Sequence, residues 1–165
     1  MIGLQHRSSP AVVTAMFLVL FSGLVARSAS AQSDPTYYST KVGVFLDRQC
    51  VPVARDLARV FLGSGKVLPH LGAEGVAAQM WNVQTPGFRK VANDGKSVPA
   101  WFCILVFGPK VGGGSGHLAV CVAVKDRATR TVWVLDGNFF KYPNGLPRGA
   151  LHTMRLDARL LGWLE

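Results

Sequence analysis

Residues 100–135 read AWFCILVFGPKVGGGSGHLAVCVAVKDRATRTVWVL. Residues 100–107, 117–124 and 131–135 are dense apolar runs of strand length, rich in β-branched and aromatic side chains. Between them lie a glycine-rich loop and a short polar turn. Connections this short do not accommodate the crossover that parallel strands need, so the three runs form an antiparallel meander. Residues 160–164 are a candidate for a last strand.

Upstream, the texture is helical. Val53, Leu57, Val60 and Phe61 make a stripe along residues 48–62, with Arg55, Asp56 and Arg59 largely on the opposite face. Pro52 fits the first turn, where its missing N–H breaks no bond, and Gly63 and Gly65 end the helix. A shorter helix is expected over residues 73–81, weakened by Gly75, and residues 85–99 are turn-rich. Helices first and sheet afterwards is the α+β order.

The composition allows one domain of this kind. Of the 165 residues, 49% are hydrophobic and 16% charged, which excludes an intrinsically disordered chain. Three cysteines are too few for a disulfide scaffold. Residues 11–26 form a nearly uninterrupted apolar run after His6 and Arg7, followed by Ala29-Ser30-Ala31. The run of 16 is short of the ~20 residues a membrane span needs, and small-x-small is the signal peptidase pattern. Residues 1–31 therefore read as a cleaved secretory signal, with an uncleaved anchor as the rival, and the protein as periplasmic or secreted. Residues 32–41 are a polar lead-in, and residues 42–165 the domain.

Losing Arg7 and Arg27 with the signal lowers the net charge from +9 to +7. The cations are spread along the chain with no run above two, unlike a nucleic-acid stripe. A diffuse positive field suits either an anionic polymer outside the cytoplasm or an ordinary solvated surface. No nucleic-acid partner is expected, membrane contact only through an uncleaved signal, and the molecule is expected to be a monomer.

The cysteines separate into a pair and a singleton. Phe107 and His117, as the ends of a hairpin loop, are centred on residue 112, and so are Cys103 and Cys121. The two face each other as a disulfide or as two buried thiols, and direct cross-strand bridging needs strained geometry. Cys50 is left over at the start of the first helix, where orphan N–H groups and the helix dipole favour thiolate. A packed apolar cysteine is the alternative.

A nucleophilic cysteine needs a base, and the base needs an orienting acceptor. His70 follows Pro69 in a loop with no evident partner, and His152 lies in a polar stretch near Arg148 and Arg155, which disfavour its protonated form. His117 opens a strand directly after Gly116, and glycine there would admit a substrate backbone close to the ring. Asp136 and Asn138 end the next strand near His117 if the strands pair antiparallel, although Asp136-Gly137-Asn138 is also a good turn.

These residues resemble the CHAP domain, a cysteine, histidine-dependent amidohydrolase/peptidase family. The likeness rests on QCVPVAR at residues 49–55, GHLAV at 116–120 and LDGN at 135–138, in that order, with Trp81 and the strand ending at Phe107 between them. It covers residues 42–165 and implies a papain-like α+β fold, with N-terminal helices packed on an antiparallel sheet. It also implies cleavage of amide bonds, usually in peptidoglycan stem peptides, as an amidase or endopeptidase. Carried over by position, Cys50 is the nucleophile, His117 the base and Asp136 its orienting acid, where many members have the longer Glu. Asn138 is a supporting polar group, Gln49 with the Cys50 backbone N–H an oxyanion-hole candidate, and Gly116 and Trp81 cleft residues. A non-catalytic wall-binding module and a thiol peptidase acting on a protein are the competing functions.

Other chemistry lacks its motifs. The glycines at 112–116 precede no Gly-Lys-Ser/Thr and do not open a helix. The spacings Cys-x-x-Cys and His-Glu-x-x-His are absent, so neither metal nor other cofactor is expected.

Overall fold

The computed structural model describes residues 49–63, 65–70, 77–100, 102–141 and 147–165, all within the unit Ser33–Glu165. The expected signal, the lead-in and the first part of the domain lie outside the described residues.

The first described element is helix α1, Cys50–Phe61. It buries Cys50, Val51, Val53, Ala54, Leu57 and Ala58, a stripe at three- and four-residue steps, and Phe61 packs on Phe102 with ring centroids 5.2 Å apart. Val60, expected in the stripe, is 68% exposed, because the buried face is centred on Val53, Ala54 and Leu57. Pro52 sits in the first turn, and Gly63, at φ +86°, ends the helix as only a residue tolerant of the left-handed region can. Arg55, on the polar face, bonds the carbonyls of Leu68 and Pro69 and so pins the chain leaving the helix. The second helix is present only as a 3-10 helix, Ala77–Trp81, among the described residues.

Among the described residues, six strands form one antiparallel sheet: β1 Lys90–Ala92, β2 Cys103–Phe107, β3 His117–Asp126, β4 Thr131–Lys141, β5 Pro147–Arg155 and β6 Leu160–Leu164. Their order is β1-β6-β2-β3-β4-β5, so the expected meander is extended by β5, and β6 returns to the far side of β2. Only residues 156–159 link β5 to β6, with three strands between them in the order. In a flat sheet that gap is roughly 19 Å at about 4.8 Å per strand step, beyond the ~17 Å reach of the link. The sheet therefore curls. One side packs on α1 through Ile104, Val106, Leu118, Val120 and Leu135; a second cluster holds Leu105, Val132, Val134, Leu156 and Trp163.

Candidate active site

The loop at residues 108–116 is bonded to itself: Val111 N–H donates to Gly108 O, Ser115 N–H to Gly112 O, and Gly116 N–H to Val111 O. It delivers the chain to His117, the first residue of β3. Gly116 has φ +74°, and a Cβ there would fall 2.6 Å from both Ala78 N and Phe107 O. The glycine makes room for the protein's own backbone. The Trp81 ring lies against Gly162 of β6.

Asp136 pairs with Ala119 across β3 and β4, two residues from His117. Its Oδ1 accepts from His117 Nε2 at 2.7 Å, so the shorter acid does reach the ring. Both groups are buried, at 4% exposure for His117 and 1% for Asp136. His117 is also hydrogen-bonded to the Cys50 side chain. With Nε2 committed to Asp136, Nδ1 is the nitrogen that serves the sulfur. Burial alone pulls the imidazole down, but the bonds to Asp136 and Cys50 and their charges outweigh it, and the ring is raised to about 10. The structure thus brings together a thiol at a helix start, an imidazole and a buried carboxylate.

Asn138 reaches the same place by a bulge. Asp136 pairs with Ala150 and Phe140 with Arg148, so four steps on β4 match two on β5. Asn138 has φ +64°, which Asn tolerates better than most residues. Its Nδ2 donates to Gln49 Oε1, tying the bulge to the residue that precedes α1. The Gln49 amide nitrogen is left as the donor, beside the Cys50 backbone N–H.

Two histidines differ from expectation. His70 is bonded to Arg55 Nη1 at 3.3 Å. His152 belongs to β5, opposite Val134, and its Nε2 lies 3.3 Å from Asp136 Oδ2. The composition near Arg148 and Arg155 hid this contact, because it depends on the β4–β5 register.

Cys103 and Cys121 are direct partners in the β2–β3 register, both buried as free thiols. Burial, then the neighbouring Cys121, holds the Cys103 thiol well above its ordinary value.

No family model matches the chain, and no curated protein matches it. Among solved structures it is similar to the crystal structure of a wild-type endolysin, LysIME-EF1, with a TM-score of 0.48 and 16% identity, over 71% of this chain and 52% of that one. The chain thus spans about half the length of that endolysin.

Proposed function

We propose that this chain is an exported cysteine amide hydrolase acting on the stem peptides of peptidoglycan. The observation that carries the reading is His117, bonded on one side to Cys50 and on the other to buried Asp136. His117, held in its charged form by Asp136, keeps Cys50 as the thiolate, which attacks the amide carbonyl carbon. The carbonyl π electrons move to oxygen, where the Cys50 N–H and the Gln49 amide offer donors. The oxyanion collapses, the C–N bond breaks, and the amine leaves with the proton from His117. A thioester remains. Water, giving a proton to His117, attacks it; the carboxylic acid departs, and the thiolate and the protonated ring are restored. Asp136 holds the ring through Nε2 and stabilises its charged form. The peptidoglycan substrate follows from the motif likeness, and a net +7 after signal removal suits an anionic wall.

The test incubates residues 32–165 and the Cys50→Ala variant with purified peptidoglycan under reducing conditions, with new termini identified by mass spectrometry. New amine or carboxyl termini from the wild type alone support the reading. Intact sacculi from both, with binding retained by both, favour the wall-binding module and overturn it. Cleavage of a casein panel but not of sacculi favours a protein substrate.

A further inference from the structure

We propose that His152 is a positioning residue of this site: it acts as the second donor on Asp136 and keeps that carboxylate aimed at His117. The inference rests on the cysteine-hydrolase reading above and adds a fourth side chain to it.

The Asp136 side chain has 0% exposure, so both oxygens need partners from the protein. Oδ1 takes His117 Nε2, and Oδ2 takes His152 Nε2. Each imidazole sits on its own oxygen, so the carboxylate plane is fixed from both ends. The His152 ring is itself anchored: its Nδ1 lies 3.2 Å from Thr153 O, and its side chain is 17% exposed. A ring with its hydrogen on Nε2 holds Asp136; a ring carrying both protons also donates to Thr153 O. Among the described residues, the titratable groups placed against His152 include Asp136 from β4 and, across that carboxylate, His117 from β3.

A carboxylate that loses one of its two donors is free to turn about its Cβ–Cγ bond. A turned Asp136 no longer stabilises the charged His117 ring, and Cys50 loses the base that keeps it reactive. Removing the His152 donor should therefore move the acid limb of Cys50 reactivity toward neutral pH. A charge-assisted bond of this kind is worth roughly tenfold or more.

The experiment follows iodoacetamide alkylation of Cys50 against pH by peptide mass spectrometry in wild type, His152→Leu and His152→Gln. The Gln amide nitrogen approximates Nε2 in reach and donates to Oδ2. The expected result is an acid limb raised by about one pH unit in the Leu variant, so about tenfold slower alkylation on that limb, and restored by Gln. Should Leu at 152 prevent folding, judged by circular dichroism, His152→Asn replaces it, since its amide is too short to reach Asp136. Wild-type profiles in all variants, or equal shifts in the Gln and the Leu or Asn variants, would overturn the proposal. The underlying reading fails separately, and visibly, if wild-type Cys50 is no more reactive below pH 7 than a free cysteine.

Discussion

Replacing Asp136 by Asn tests the electrostatics of the site most directly. The side chain keeps its shape and loses its charge. In the wild type the His117 ring is raised to about 10, against the pull of burial, by Asp136 and Cys50 together. Removing the Asp136 charge leaves burial opposed by Cys50 alone. The midpoint of the His117 ring should drop by about two units, as expected for losing an opposite charge in hydrogen-bond contact. A raised folded-state value means stability that is fully present below the ring's unfolded value, near 6.5, and lost as pH climbs through about 10. Wild-type stability should therefore decline across that interval by about 3 kcal/mol more than the variant's, the equivalent of the two units lost. At pH 6 the variant should be less stable by about 3 kcal/mol, the scale for removing one partner of a buried ion pair. The His117 Cε1–H resonance followed by NMR gives the midpoint, and urea unfolding at pH 6 and pH 10 gives the stabilities. A variant with an unshifted His117 midpoint and the same loss of stability between the two pH values would refute the assignment of Asp136 as the stabilising charge.

Two further outcomes follow from packing. Gly116→Ala places a Cβ 2.6 Å from two backbone atoms at φ +74°, so it should cost about 2–5 kcal/mol in urea unfolding and lower Cys50 alkylation by displacing His117. An unchanged unfolding midpoint would mean that the close approach to Ala78 and Phe107 is relieved without strain. In an Ellman assay on the native chain, Cys50 should react alone, and Cys103 and Cys121 only after unfolding in guanidinium. Comparable native rates for Cys50 and the paired thiols would contradict the burial of the pair at 1% and 0% exposure.

The meander and the first helix were legible because their signals are local. Residues 103–107 and 117–124 are apolar enough to be strands buried on both faces, and the hairpin arithmetic placed Cys103 opposite Cys121, as the register does. The two strands without a local signature are β1 and β5, the edges of the sheet. β1 has three residues, and β5 begins at Pro147 and contains Gly149, the composition of a turn by local rules but one that an edge strand tolerates. His152 was lost with β5, since nothing within the stretch 147–155 points to Asp136 until the strand is paired. The Cys50, His117 and Asp136 order was legible for the opposite reason: each lies at or near the end of an apolar element, where the pairing brings it to one end of the sheet. What Gly116 and Trp81 pack against is not legible locally, because glycine freedom and aromatic surface serve packing as readily as ligand contact, and their neighbours are set by the tertiary fold.

The bulge in β4 accounts for how two layers share one site. In a regular strand, residues 136 and 138 would point to the same face about 6.8 Å apart, with both committed to the sheet. The extra residues and the left-handed Asn138 free that side chain to reach Gln49 at the head of α1. The conformation costs about 1 kcal/mol for a non-glycine residue, and one hydrogen bond returns about as much. The bulge is thus close to neutral for stability, and its effect is on position. Asp136 at its start fixes the imidazole, Asn138 within it fixes the residue beside the thiol, and both distances are set by the same short length of backbone. A nucleophile on a helix and a base on a strand have no covalent reason to stay in reach of each other, and a shift of about 1 Å between them is enough to slow the chemistry markedly. Placing the two tethers two residues apart on β4 makes the helix start and the sheet move together.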